Sequence, residues 1–350
     1  MQKTIKVKFQ NGINKNIACN NILNELAGDY IFEESDTPDF ILFGPYGNDV
    51  PKQGDYIRIG YYCENIKPDL SICEWAFGMP REEEVNDSRY RKIQWHDLDP
   101  QSLVKPDNYN AEEIFEQKES FCAFIYGNKV PYREEFFRQL SRYKKVDAPG
   151  ISMNNMPNNM DTLYKGSKWE RKRQFLHKYK FTIAFENYTY PGYQTEKLYD
   201  AMLADSIPIY CGDSYVNKIF NTSSFINTAD LINLNDSATV NFLEKYAQPD
   251  FKDIRPSYYH SPIDRIKRKL KTIGRQAKIN LQFKNMDFSP VIEKIIELDQ
   301  DKSKYLQTLK QPWLNNNKPP LGASLKNRWI EIFEQPLNSN KRLDIPAINE

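Results

Sequence analysis

Lys197 stands where a helix ordinarily avoids a lysine. Phe181 to Phe185 is a short apolar run of the kind that forms a parallel strand covered on both faces. A polar loop follows, and Leu198, Ala201 and Met202 then recur at helical spacing until Ser206-Ile207-Pro208 closes the helix. With Thr195 in the N-cap position, Lys197 falls in the first helical turn. A cation there opposes the helix dipole at a cost of roughly 0.3–1 kcal/mol, whereas the free N–H groups of the same turn suit a phosphate. An anion shared by the ammonium and the N–H groups removes the conflict. A second cation, Arg133, follows the apolar run Phe121–Tyr126 at the head of the next helix, in which Phe136, Phe137, Leu140 and Tyr143 make one apolar face. Two strand-to-helix junctions, each with a cation beside helix N–H groups, suit a diphosphate.

The elements that must hold these residues alternate strand and helix from Phe121 to about Phe225. That alternation predicts a parallel sheet with helices on both faces and ligands at the C-terminal ends of its strands. An earlier set of strands near Ile5–Phe9, Phe40–Phe43, Tyr56–Tyr61 and Trp75–Phe77 predicts a first α/β domain over residues 1–110. The polar, proline-containing stretch around Pro100, Pro106 and Asn108 reads as a linker to a second domain over 118–310. A tail over 311–350 carries a short amphipathic helix with Leu325, Trp329, Ile332 and Phe333, expected to pack back on the first domain.

The chain of 350 residues is long enough for two domains, and 22 Tyr and 20 Phe exclude a disordered chain. Lys+Arg 48 against Asp+Glu 47 leaves a net charge of +1, so no global basic field argues for nucleic acid. Cys19, Cys63, Cys73, Cys122 and Cys211 are scattered without C-x-x-C pairs, which disfavours a disulfide framework or a zinc site and favours reduced, buried thiols. Met1–Phe9 has a strand pattern rather than that of a signal sequence, and nowhere do 18 apolar residues run together, so a cytoplasmic protein is expected.

The segment F-x-x-x-F-E-N-x-x-x-x-x-Y-x-T-E-K from Phe181 to Lys197, with Ile207-Pro-Ile-Tyr-x-Gly212 and Ser224-Phe225-Ile226, resembles the donor-binding signature of the α-1,3/4-fucosyltransferases of glycosyltransferase family 10, most closely their bacterial branch. The resemblance implies a GT-B architecture, two Rossmann-like domains facing each other across a cleft. It implies an inverting single displacement of L-fucose from GDP-fucose onto the GlcNAc of an N-acetyllactosamine-type acceptor, such as a lipopolysaccharide O-antigen. It assigns Arg133 and Lys197 to the donor diphosphate and Asn187, Tyr193 and Glu196 to the nucleotide. Asn128 and Glu186 are supporting candidates, Glu186 structural first because it ends a buried strand and needs partners. Glu64-Asn65-x-x-Pro68, followed by Trp75-Ala-Phe-Gly78, resembles the first-domain segment that bears the proposed catalytic glutamate of the bacterial enzymes. Glu64 is thereby the expected general base, with Asn65 orienting it and Glu74 as a rival that sits in the next strand.

No cofactor is expected, and a divalent metal is not expected to be essential. His96, His177 and His260 are dispersed, and the D-x-D pairs Asp97/Asp99 and Asp299/Asp301 fall at a linker and a helix end. Transfer from another nucleotide sugar and non-catalytic binding of a nucleotide sugar or glycan are the other readings. Residues 232–287 interrupt the resemblance. Within them Ile263, Ile266, Leu270, Ile273 and Ala277 form an apolar stripe beside Arg265, Lys267, Arg268, Lys269, Lys271, Arg275 and Lys278. Such a helix over 263–278 either packs on its domain or makes peripheral contact with the inner membrane face. C-terminal heptad repeats are not visible, so the oligomeric state is open.

Overall fold

Ile5, Val7 and Phe9 alternate with lysines along strand β1 (Lys3–Gln10) and are buried, as the two-residue period of a half-covered strand requires. The structure, a computed structural model, describes residues 2–94, 98–157, 160–234, 237–255, 261–284 and 286–335. Strand β1 lies within a wholly parallel sheet with β2 (Tyr30–Glu34), β3 (Phe40–Phe43), β4 (Ile57–Tyr62), β5 (Trp75–Gly78) and β6 (Tyr90–Lys92), in the order β2-β1-β3-β4-β5-β6. Strands β2 and β6, which the apolar pattern did not announce, are its two edges. All four residues of β3 are buried, whereas β2 buries Tyr30 and Phe32 alone.

A second parallel sheet contains β7 (Ser120–Ala123), β8 (Val146–Asp147), β9 (Tyr179–Phe185), β10 (Ile207–Cys211) and β11 (Ile226–Asn227), in the order β11-β10-β9-β7-β8. The chain moves from β7 outward to β8, and from β9 the other way to β10 and β11. The reversal lies between β7 and β9, the kind of place where open α/β sheets bind ligands beyond the strand ends. Arg133 follows β7 on the helix Pro131–Ser141, and Lys197 follows β9 on the helix Glu196–Leu203, so both cations descend from the two strands of the switch point. Phe136 and Phe288 pack on Phe185 at the end of β9, at centroid distances of 4.7 and 6.3 Å.

Two compact units divide the chain, their described residues falling in Met1–Leu98, Leu243–Arg275 and Gly322–Glu350 for one and in Asp99–Phe242 and Gln276–Leu321 for the other. Residues 243–275, assigned from sequence to the second domain, therefore belong with the first. The reason is aromatic. Phe251 fills the core beside Phe43 and Tyr62, at ring separations of 6.3 and 5.4 Å, and the Lys67 amide donates to the Pro249 carbonyl at 2.9 Å. The helix Lys326–Glu334 completes the same unit: Trp329 stacks on Phe77 at 4.2 Å, and Phe333 sets its edge against Phe40 at 5.0 Å. The helix Pro262–Phe283 does pack, through Lys271, Gly274 and Arg275, but its apolar stripe is not the side that does so. Among the described residues no helix is long and apolar enough to cross a membrane.

Candidate functional site

Glu186 is the first residue beyond β9, and the backbone brings it back under the helix that follows. Its amide donates to the Cys211 carbonyl at 2.8 Å, and its fully buried carboxylate accepts from the Thr195 amide at 2.8 Å and the Thr195 hydroxyl at 2.8 and 3.0 Å. Thr195 does occupy the N-cap position, but its hydroxyl faces Glu186 and makes no capping bond to the helix. Lys197 completes the group: its Nζ lies 3.3 Å from Glu186, 3.4 Å from Glu196 and 2.9 Å from Thr195 Oγ1. Burial raises the Glu186 carboxyl above the usual range even against the attraction of Lys197. For Lys197 burial works the other way, yet Glu186 and Glu196 more than restore the charge and hold it above the ordinary lysine value. The cation at the helix start is thus matched within the protein, a partner the sequence argument did not foresee.

Arg133 is not displayed at a surface; it is fully buried. Its guanidinium donates to the Asn128 carbonyl at 2.7 Å, the Phe185 carbonyl at 3.3 Å and Asn187 Oδ1 at 3.1 Å, and lies 3.5 Å from the centre of the Tyr126 ring. No acid stands within ion-pair distance among the described residues, and Nε has no hydrogen-bond partner among them. Arg133 therefore acts on the ends of β7 and β9 through what it holds. Asn128 enters by its carbonyl rather than its side chain, and Asn187 by its amide oxygen.

The loop between Glu186 and Thr195 is fastened from two sides. Asp213, buried just past β10, accepts from the Gly192 amide at 2.7 Å, from the Gln194 side-chain amide and from the Tyr215 amide at 2.9 Å. Gly192 has φ +80°, which a side chain would strain. On the other side Lys278 donates to the Thr189 carbonyl at 2.6 Å, and the Thr189 hydroxyl bonds Gln282 at 2.9 Å. Tyr193 is buried within the loop, its amide bonded to the Tyr190 carbonyl at 3.0 Å. Sequence reasoning missed Asp213; an acid directly after the Ile207–Gly212 motif was the signal that could have found it.

In the first sheet Glu64 lies at the C-terminal end of β4, two residues past its last member. Tyr46, on the loop after the neighbouring β3, gives its hydroxyl to Glu64. Its phenol is held above the usual tyrosine range by loss of water around the hydroxyl and then by the Glu64 charge. Asn65 Oδ1 accepts from the Gln248 side chain at 3.0 Å, which ties the turn to residues far along the chain. Cys63 is half-buried, and burial with the adjacent Glu64 pushes its thiol up to about 11. Glu74 is committed elsewhere: it accepts from Arg58 Nη2 at 2.6 Å, from Arg58 Nε at 3.2 Å and from the Arg58 amide at 2.7 Å.

Asp299 is bound by Lys180 at 2.9 Å, Lys144 at 3.0 Å and the Tyr143 hydroxyl at 2.9 Å, and Asp301 caps the helix Lys302–Lys310. His177 bonds the Ala204 carbonyl and Gln117. His96, Asp97 and His260 lie outside the described residues. All five cysteines are free thiols; Cys73, Cys122 and Cys211 are buried, and Cys19 and Cys63 half-buried.

The family model described as glycosyltransferase family 10 (fucosyltransferase) C-term matches residues 115–249, and that described as alpha-(1,3)-fucosyltransferase FucT N-terminal domain matches residues 7–96. The chain belongs to glycosyltransferase family 10. The first match continues to residue 249, into residues the sequence pattern assigned to an insertion. A fucosyltransferase candidate of Acanthamoeba polyphaga mimivirus is 34% identical over 41% of this chain and 26% of its own length. The alpha-(1,3)-fucosyltransferase FucT of Helicobacter pylori is 29% identical over 51% of this chain and 42% of its own. The chain thus spans less than half the length of either relative. A crystal structure of an α1,3-fucosyltransferase with GDP-fucose has the same fold: TM-score 0.62 at 20% identity, over 98% of this chain and 93% of that one. The family 10 chain described here accordingly has the GT-B fold, each of its units built on a parallel sheet.

Proposed function

We propose that this chain transfers fucose from GDP-fucose to the GlcNAc hydroxyl of an N-acetyllactosamine-type glycan, as an inverting α-1,3-fucosyltransferase. The observation that carries the reading is the cluster at the switch point of the second sheet. There Lys197 is held between a buried acid, Glu186, and a partly exposed one, Glu196, whose side chains are 0 and 38% exposed. A diphosphate entering at this helix start displaces Glu196 from the ammonium while Glu186 keeps Lys197 in place, and the released Glu196 accepts ribose hydroxyls. Arg133 positions Asn187 and the β7 and β9 ends against the same nucleotide, and Asp213 fixes the loop that carries Tyr193. The family membership and the fold shared with an enzyme solved with GDP-fucose support this assignment.

In the first unit Glu64 removes the proton of the acceptor hydroxyl as its oxygen attacks the fucose anomeric carbon. The bond from that carbon to the β-phosphate oxygen breaks with inversion, and GDP leaves with the electron pair. Negative charge grows on the diphosphate as this happens, so the Lys197 ammonium and the helix N–H groups bind the transition state more tightly than the ground state. These groups supply the positive charge, and activity is expected to persist in EDTA. The test is incubation with GDP-fucose and, separately, Galβ1,4GlcNAc and Galβ1,3GlcNAc acceptors, with product linkage read by NMR. GDP release on acceptor addition and a 1,3-linked product are expected. GDP binding without release in any arm would leave a non-catalytic binder.

A further inference from the structure

The helix Pro262–Phe283 keeps its apolar stripe in water. Ile263, Ile266, Leu270 and Ile273 are 65, 61, 61 and 56% exposed, and their spacing of three, four and three puts them on one helical face. Packing uses a different side. At Gly274 an added Cβ would meet the Ala247 Cβ at 2.8 Å, Lys271 bonds Asp250 and Asp253 at 2.7 and 2.6 Å, and Arg275 donates to the Ala247 carbonyl at 3.1 Å. These contacts fix the rotation of the helix with the stripe outward. Tyr246, next to Ala247, is exposed as well, at 57%.

Charge says what the face is for. Arg265, Lys267, Arg268 and Lys269 are all exposed, and Asp264 is the sole acid of the helix, held by the Ser261 hydroxyl at 2.7 Å. At 100° per residue Lys267 borders the stripe on one side and Lys269 on the other. The stripe is about 15 Å long at 1.5 Å per residue, too short to span a bilayer and suited to lying along one. A second copy is a poor occupant, because an isologous pairing would bring two sets of these cations together without acids to match them.

We propose that this face docks on an anionic lipid bilayer, the four aliphatic side chains entering the acyl boundary and the flanking Lys267 and Lys269 reaching the headgroup phosphates. The experiment is co-sedimentation of the full chain with vesicles of phosphatidylcholine alone and of an equimolar mixture with phosphatidylglycerol. Wild type is expected to sediment with the mixed vesicles, less so as salt rises, and not with phosphatidylcholine alone. Ile266→Asp with Leu270→Asp should lower partition about tenfold or more, since it removes the apolar contribution. Lys267→Gln with Lys269→Gln should lower both the partition and its salt dependence. Circular dichroism and thermal transitions matching wild type establish that these surface variants fold, and unchanged GDP affinity separates docking from the donor site. Failure of wild type to sediment with mixed vesicles overturns the proposal, as does wild-type partition by both variants. So does a dimer by light scattering that Leu270→Asp dissociates in the absence of vesicle binding, which would make the face a protein interface.

Discussion

At the scale of single residues, the site rests on ionic groups that are matched before any ligand arrives. Lys197→Ala leaves Glu186 buried without its cation, and the expected result is a weaker GDP complex, by about tenfold or more in titration calorimetry, together with a loss of about 3 kcal/mol in stability. Glu64→Gln keeps the size of the side chain and its place beside Tyr46, so GDP affinity should stay at the wild-type value while kcat falls about 10²–10⁴-fold. Turnover like wild type in that variant would remove Glu64 from the reaction. The spacing of Glu186, Asn187, Thr195, Glu196 and Lys197 was legible in the sequence because one strand, one loop and one helix start carry them all. The partners were not. Asp213 meets the Gly192 loop within the second unit, and Tyr46 and Gln248 meet Glu64 and Asn65 within the first; each comes from another turn of the chain, and sheet order, not local pattern, brings it there. The burial of Arg133 was equally hidden: its position at a helix head does not state its exposure, and only the packing of Tyr126 and the β9 end turns it inward.

Elements were legible where burial is two-sided. Strands β3, β4, β9 and β10 read as apolar runs because both faces are covered, whereas the edges β2 and β6 mix Tyr with Glu, Arg and Lys and carry too little pattern. The helix Pro262–Phe283 shows the opposite hazard, a clear stripe whose direction the sequence does not state. The helix Lys326–Glu334 has a similar pattern and the opposite fate: Trp329, Ile332 and Phe333 are buried against the first sheet. Trp329→Ala removes the stacking partner of Phe77 and opens a cavity, and a loss of about 3–5 kcal/mol is expected in urea denaturation. A loss under about 1 kcal/mol would mean that this helix contributes little to the unit.

Over the whole molecule, Lys105 gives stability a dependence on pH. Its ammonium lies 3.6 Å from the centre of the Trp313 ring and donates to the carbonyls of Leu309 and Gln311, and burial lowers its pKa from 10.5 to about 7. Between pH 7 and 10.5 the unfolded chain holds a proton that the folded chain has released, so stability rises with pH across that window. Below it the burial penalty is at its fullest. Lys105→Met lacks this slope, and the difference in Tm between wild type and variant should move in favour of wild type from pH 7 to 9; a constant difference would show that the ammonium stays charged throughout. The division of the chain has a consequence for any attempt to cut it. The polypeptide passes between its two units at residues 98, 242, 275 and 321, so the first unit is assembled from three separate stretches. A gene fragment ending at residue 98 would encode the first sheet without Phe251 or Trp329, leaving Phe43, Tyr62 and Phe77 bare. Such a fragment should aggregate on expression, and dissection by truncation is closed to this chain unless the missing pieces are spliced back by linkers.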